Sequence, residues 1–404
     1  MPKKACGACA PFWRVERASR ASGAMGTVPM PDGLRTMRTG AVPLAFGPIS
    51  HGGTMNDRLD DRLDLASGAA RQEAVLVGRP FPPSLRVLLE TCHENVFCTD
   101  ARCAALPADA EVACYLALRD GDPVTGVLYR REGRTITVLS ELLSIAGGAL
   151  DQMARCLFAR HQGVHLIHFP SVQTPPWPLP FPCQRYEATE DLVISLPGTA
   201  EAYLASLGPN TRAAIRRAQR AVAQQAPDLA FSFHGPDTID RADVAALVEL
   251  NCLRLASKRQ APSHTVDSVA TLQSMLGAYG CVLFARSGGR IRAGVACTHV
   301  GRHAYMHVIA HDPSFDQSRL GLLCCFMSIC ESIRCGMREY HLLSGRYDYK
   351  RRLLGQQRDF DRIVVYRSLA SVVASLPTYA RTLVRGRGRQ AKQRISSWRR
   401  SWKS

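Results

Sequence analysis

The chain has 404 residues, of which 46% are hydrophobic, and 51 Lys and Arg stand against 34 Asp and Glu for a formal charge of +17. Residues 1–54 carry +5 and residues 381–404 carry +9, which leaves +3 for everything between. That distribution argues against a body that binds duplex nucleic acid and for basic ends that meet an anionic surface, while the length allows two domains with their own cores. There is no apolar signal-peptide core and no run of 18 apolar residues, so a cytoplasmic chain without a membrane span is expected.

Residues 1–54 are rich in Gly, Pro, Ala and Arg without periodicity and read as a disordered leader, with Met55 as a natural start. Cys6 and Cys9 form an isolated C-x-x-C there, with no second pair to complete a zinc site. Most of the 15 cysteines lie in apolar runs and read as small hydrophobes. Arg86–Cys92 predicts a short helix, and Ala113–Leu118, Val124–Tyr129 and Arg134–Leu139 predict strands separated by turns at 119–122 and 132–133. Ala149–His161 predicts a helix and Val164–Phe169 a strand. From Thr174 to Pro182 five prolines in nine residues make a stiff connector.

Beyond it, Thr211–Gln225 predicts a basic amphipathic helix. Arg212, Arg216 and Arg220 share one face, beside Arg217, and Ala214, Ile215, Ala218 and Val222 form the other. The face is either a solvated surface or a rim that attracts an anionic substrate. Val282–Ala285 and two strands within Ile291–Ala310, turning at Gly301, predict an antiparallel run. The loop Asp312–Gly321, with Asp or Ser as a cap, then leads into an apolar helix over Leu322–Ile333 that stops at Gly336, followed by a strand at Tyr340–Leu343. A strand feeding a helix through such a loop presents free backbone N–H groups at the helix start. With Arg319 beside them they suit an anion; the alternative is a plain helix start with a surface arginine. His303, His307 and His311 are spaced by four. On a strand such residues stand about 13 Å apart, too far to share one metal. His307 can serve as a general base or as a hydrogen-bonded strand histidine. The segment Tyr347-Asp348-Tyr349-Lys350 is a site or a surface turn. As a site, Asp348 would accept a proton, a tyrosine hydroxyl would protonate a leaving thiolate, and Lys350 would hold a phosphate or an oxyanion. The tail from Thr382 is either disordered or a helix with Trp398 and Trp402 on one cationic face, suited to an anionic membrane surface.

Three stretches together resemble a family: Asn210–Arg220, the Asp316–Gly321 loop before its helix, and Tyr340–Gly345 leading to Tyr349-Lys350-Arg351. In this order they are similar to the GNAT-superfamily acetyltransferase domain of the CelD/BcsL cellulose-biosynthesis type, related to FemABX peptidyltransferases. The loop carries one glycine, Gly321, in place of the usual glycine-rich form. The resemblance implies an α/β (α+β) fold of two GNAT-like halves, each a mixed, mainly antiparallel sheet flanked by helices. The expected divisions are a leader (1–54), a degenerate N-terminal half (55–173), a linker (174–183), an acetyltransferase domain (184–366) and a basic tail (367–404). It further implies acyl transfer from acetyl-CoA or another acyl-CoA, with no metal, to an amine or sugar, in exopolysaccharide or cell-envelope biosynthesis. The expected site is His307, Asp348, Tyr349 and Lys350 for catalysis, Gln317, Ser318, Arg319, Leu320 and Gly321 for the donor, and Arg212, Arg216 and Tyr347 for the substrate. Two other readings stay open: aminoacyl transfer from charged tRNA, and a non-catalytic adaptor docking on a membrane or a synthase.

Overall fold

The computed structural model describes residues 72–120, 122–257 and 266–401, and upstream of them two short strands, β1 (Val15–Arg17) and β2 (Arg62–Leu65). Cys6, Cys9, Trp402 and the side chain of Trp398 lie outside the described residues. β1 pairs in parallel with Phe231–Phe233, so part of the segment expected to be disordered belongs to the sheet.

Before the proline-rich segment the order is β3 (Gln72–Gly78), α1 (Pro83–His93), β4 (Glu111–Arg119), β5 (Asp122–Glu132), β6 (Thr135–Val138), β7 (Leu143–Ser144), α2 (Gly147–Arg160) and β8 (Leu166–Gln173). After it come β9 (Cys183–Ser195), α3 (Ala200–Ser206), α4 (Pro209–Gln225), β10 (Ala230–His234), α5 (Arg241–Ser257) and α6 (Val266–Tyr279). Then follow β11 (Gly280–Ser287), β12 (Arg290–Val300), β13 (His303–His311), α7 (Leu320–Arg334), β14 (Glu339–His341), α8 (Asp348–Arg352), β15 (Gln356–Tyr366), α9 (Leu369–Ala374) and α10 (Leu376–Ser401). Residues 174–182 contain no helix or strand, as five prolines require. Prolines also open α1 and α4, where the missing N–H has no helical partner to lose.

Among the described residues all fifteen strands join one mixed sheet in the order β1-β10-β11-β12-β13-β14-β9-β15-β8-β6-β5-β4-β3-β2, with β7 beside β8. Each half repeats one motif. Antiparallel strands lead to a helix that crosses to a parallel strand, β6 to β8 through α2 and β13 to β14 through α7. The next strand of each half then pairs with the other half. β9 follows β8 but pairs with β14, and β15 follows β14 but pairs with β8. β9 and β15 also pair with each other along ten residues. The cores are therefore shared across the proline-rich segment. Ile363 and Val365 of β15 lie in the core built on α2, and Val96 lies in the core beneath α5 and α6.

On one face of the C-terminal sheet, α4 and α7 pack through Ile215, Ala218, Val222, Leu323, Cys324 and Ile329. On the other, α5 and α6 pack through Val244, Leu247, Leu272 and Leu276. The apolar side expected for α4 is the buried one. Burial pushes the Cys325 thiol up to about 12, so that cysteine acts as a small hydrophobe. Gly301 makes the β12–β13 turn at φ +56°, where a Cβ would meet the Glu94 side chain at 2.6 Å. Among the described residues no helix is long and apolar enough to cross a membrane. The segment expected to be a tail is instead α9 and α10. Arg389 of α10 donates to Glu190 Oε2 at 2.6 Å, and Gly386 lies against the Tyr186 ring, which seats the helix on β9.

Close strand packing gives a direct test. A Cβ at Gly294 would stand 2.7 Å from the Leu283 carbonyl oxygen and 2.8 Å from the Leu247 side chain. Backbone cannot yield as a side-chain tip can, so Gly294→Ala is expected to cost about 1–3 kcal/mol by urea denaturation. Gly198, with nothing within 4 Å, should accept Ala within about 0.5 kcal/mol. Equal losses at both positions would contradict this packing.

Candidate active site

β13, β14, β9 and β15 are neighbours, and side chains one residue apart in each ladder alternate faces. On one face this produces a row of ionisable groups: His303 and Tyr305 on β13, Glu339 and His341 on β14, Asp191 on β9 and Arg358 on β15. The register places His303 opposite Glu339, Tyr305 opposite His341 and Arg358 opposite Asp191. His303, Tyr305, His341, Asp191 and Arg358 line a cavity of ≈ 260 Å³ whose remaining walls include His93, Asn95, Ser144 and Gln173. Residues from both sides of the proline-rich segment thus enclose it, a common location for a ligand site.

The row is tightly organised. His341 is 7% exposed; its Nδ1 lies 2.6 Å from Asp191 Oδ2 and its Nε2 lies 3.4 Å from Glu339 Oε2. Its ring stacks on Tyr305, with centroids 4.2 Å apart. Burial works against a charge on His341, but the bonds and charges of Asp191 and Glu339 outweigh it and raise its pKa. Glu339 is held far below the usual carboxylate range, first by His341 and then by Arg358, whose two Nη atoms reach it at 2.8 and 2.6 Å. Burial lowers the pKa of His303.

Asp191 also accepts from the Leu343 amide at 2.9 Å, and Glu190 accepts from the Gly345 amide at 3.1 Å. These bonds hold the turn after β14, where Leu343 and Gly345 take φ of +57° and +102°. Lys350 closes the same turn from the other side. It is 3% exposed, and its Nζ donates to the carbonyls of Leu342, Leu343 and Ser344 at 2.7, 3.0 and 2.6 Å. Burial lowers its pKa to about 8, so the ammonium and its three donors persist at neutral pH. With those donors engaged, Lys350 does not fit the expected role of phosphate or oxyanion holder; it positions the turn that follows His341.

The other expected catalytic residues are dispersed. Asp348 is 72% exposed and pairs with Arg352, four residues on. Tyr349 is packed against the core of α4 and α7, and burial raises its pKa, so it is a poor proton donor. Tyr347 is exposed beside it. His307 is the extra residue of a β-bulge, since Met306 pairs with Cys297 and Val308 with Ala296. Its Nε2 lies 2.9 Å from Thr298 Oγ1 and its ring packs edge-on against Phe97. Neither His307, Asp348, Tyr349 nor Lys350 is among the cavity's lining residues.

At the expected donor loop, Asp312 accepts from Ser314 and caps the short turn Pro313–Phe315, while Asp316 lies 2.6 Å from His311 Nε2. Neither caps α7. The N-cap is Arg319, in the left-handed region at φ 58°, with no side-chain cap bond. A non-glycine residue held there is strained, and such strain gathers at functional positions. Ser318 bonds the Phe315 carbonyl at 3.0 Å, and Leu320 is buried in the core. Gln317 and Arg319 are exposed. A Cβ at Gly321 would lie 2.7 Å from His311 Nδ1, so the close approach of the His311 ring to the start of α7 depends on the glycine. On α4, Arg212 bonds the carbonyls of Ala205 and Leu207 and ties down the α3–α4 turn, whereas Arg216 is exposed.

Sequence reasoning missed His341, Asp191, Glu339 and Arg358. His341 lies within the Tyr340–Gly345 stretch that carried the resemblance and Glu339 just before it, spaced by two as a strand face requires. Asp191 and Arg358 lie on strands, β9 and β15, that the sequence reading did not assign.

Comparison with known proteins agrees with the fold. Residues 209–351 match the family model described as acetyltransferase (GNAT) domain. No curated protein sequence matches the chain. Among solved structures, FemX is 9% identical, with 70% of this chain and 96% of that one covered and a TM-score of 0.51. L-PGS from Bacillus licheniformis is 12% identical, with 76% and 97% covered and a TM-score of 0.46. A tandem GNAT protein from the clavulanic acid biosynthesis pathway is 13% identical, with 72% and 98% covered and a TM-score of 0.39. At these identities the similarity concerns the fold alone, and only the FemX superposition is close enough to bear on it.

Replacing Lys350 with Met keeps its bulk and removes its three donors. The expected loss is at least about 2 kcal/mol in urea denaturation, because partly buried carbonyls are left without partners. A Lys350→Met protein as stable as the wild type would remove the lysine from this positioning role.

Proposed function

We propose that the protein is an acyl-CoA-dependent acyltransferase that moves an acyl group to an amine or hydroxyl acceptor held in the cavity. The observation that carries this reading is the break between β13 and β14. The two parallel strands pair only over 303–305 and 339–341. Past that point β13 continues to His311, while the chain after His341 turns away. The edge of β13 past residue 305 faces the gap, and the strand runs on toward the start of α7, which has no side-chain cap. An extended pantetheine arm, rich in amides, can add to such an edge as a strand would. Its pyrophosphate would then meet the amides of Leu320 and Gly321, the helix dipole and the Arg319 guanidinium. The match of residues 209–351 to the GNAT acetyltransferase domain supports the same reading.

In this arrangement the donor's thioester lies at the gap, beside Tyr305 and His341. The acceptor's nitrogen or oxygen attacks the thioester carbonyl from the cavity side. The tetrahedral oxyanion collapses, the C–S bond breaks, and CoA leaves as thiolate while the acceptor gives up its proton. Closing both partners in a partly buried space supplies proximity. The groups available to receive that proton are those lining the cavity; Asp348 stands in solvent. Acetyl is the simplest donor group, and the acceptor's place in exopolysaccharide or envelope synthesis follows only from the sequence resemblance.

Titration calorimetry with acetyl-CoA tests the reading. Micromolar to submillimolar binding is expected, typical of enzyme substrates. Gly321→Val, which places a branched side chain against His311, should weaken it at least tenfold with an unchanged circular dichroism spectrum. Absence of heat with the wild-type protein, together with retention on charged tRNA, would replace this reading with aminoacyl transfer, for which exposed Arg216, Arg217 and Arg220 provide a basic face.

A further inference from the structure

His303, Glu339 and His341 each offer one ligand atom, and these atoms all lie within 4.8 Å of one another. From this cluster we infer a binding site for one zinc-class divalent cation, held by His303 Nε2, Glu339 Oε2 and His341 Nε2 at the wall of the cavity. The histidine spacing along β13 concealed it. His303 cannot share a metal with His307 or His311 on its own strand, but its partners stand on the neighbouring strand. Glu339 is directly opposite it in register, and His341 is two residues further on the same face.

Four observations converge on a ligand. First, His341 Nε2 is buried and completes no well-formed hydrogen bond among the described residues; its nearest charged neighbour there, Glu339 Oε2, stands off at 3.4 Å. An orphaned imidazole nitrogen in a polar cluster calls for a partner. Second, Asp191 lies 2.6 Å from His341 Nδ1, where it can hold the ring proton while Nε2 gives its lone pair to an ion. A carboxylate behind a histidine in this way is the outer-shell partner that metal-binding histidines ordinarily have. Third, the ring cannot turn away, because it is stacked on Tyr305, whose hydroxyl is itself anchored to the Glu94 carbonyl at 3.1 Å. Fourth, the spacing fits. His341 Nε2 and Glu339 Oε2 are 3.4 Å apart, close to the edge of about 3.3 Å for a tetrahedron with bonds of 2.0–2.1 Å. His303 Nε2 is 3.9 Å from Glu339 Oε2, and the three ligand atoms all lie within 4.8 Å of one another, so a small side-chain adjustment draws them onto one ion.

Two imidazoles and a carboxylate are a ligand set that zinc and neighbouring transition metals prefer, and one that Mg²⁺ and Ca²⁺ do not. Arg358 bonds both oxygens of Glu339 and brings one positive charge. Asp191, Glu339 and Glu94, whose Oε2 is 3.4 Å from His303 Nε2, bring three negative ones. Three protein ligands leave a fourth position, and because His303 and His341 line the cavity that position faces it. An open position is the mark of a site that also binds substrate or water. On the acyl-transfer reading the ion would hold the acceptor's oxygen or nitrogen; the metal site itself does not depend on that reading.

The test uses the full chain with Cys6→Ser and Cys9→Ser, so that the upstream pair cannot capture metal. After exposure to zinc and dialysis, elemental analysis should find one zinc per chain, and a cobalt(II) titration should give the visible absorption of a tetrahedral site. His303→Asn and His341→Asn should each abolish stoichiometric zinc, and Asp191→Asn should weaken it about 10–100-fold, as outer-shell changes do. His311→Asn should bind as the parent does. No zinc in the parent protein, or a full equivalent persisting in both His303→Asn and His341→Asn, overturns the proposal. Acetyl-CoA calorimetry on the same proteins reports folding and the acyl-transfer reading separately, so failure of one is distinguishable from failure of the other.

Discussion

The pairing of β9 with β15 is the constraint on which the rest of this structure depends. Each strand is the last of its half, and each is built into the sheet of the other. Without that ladder the sheet would part between β9 and β15, leaving β9 beside β14 and β15 beside β8 as the edges of two separate sheets. Arg358, on β15, would not reach Glu339 on β14. A long non-local ladder has a substantial loop-closure cost, so it forms only when both cores form with it. The two halves therefore share one sheet and close one cavity between them.

The charged face of that ladder explains how α10 is seated. Glu187 and Glu190 on β9 meet Arg346, at 2.5 and 3.3 Å, and Arg389 of α10 reaches Glu190 as well. The same stretch of β9 thus anchors the turn after β14 and the long C-terminal helix. Surface ion pairs contribute little singly. Here Glu190 is largely buried, with its side chain 7% exposed, and it joins a backbone amide, Arg346 and Arg389. A shared, partly buried network of this kind can specify geometry more than it adds stability.

Much of the fold was legible in the chain. α2, α4, α7 and the strands β4, β5, β11, β12 and β13 follow apolar periodicity and turn chemistry, signals that act over a few residues. β9, β15, α5 and α6 were not read. β9 begins with residues such as Gln184, Arg185, Glu187 and Glu190, and β15 with Gln356, Gln357, Arg358 and Asp359. Neither segment has the alternation of a half-buried strand; each is held by the other. The Tyr347–Lys350 segment was legible as a distinctive pattern but not as a role. Pattern cannot tell whether a lysine points to a ligand or to the carbonyls of its own turn.

The sequence by itself determined the crossover from β13 through the loop to α7, the glycine at 321 and the resemblance to GNAT acetyltransferases, because these depend on local propensity and on residues close in the chain. Only the tertiary structure decided which ionisable groups meet. His303, Glu339, His341, Asp191 and Arg358 come from four strands, and nothing in their spacing along the chain announces that they share a face. Strand order and register, set by burial of two cores at once, put them together.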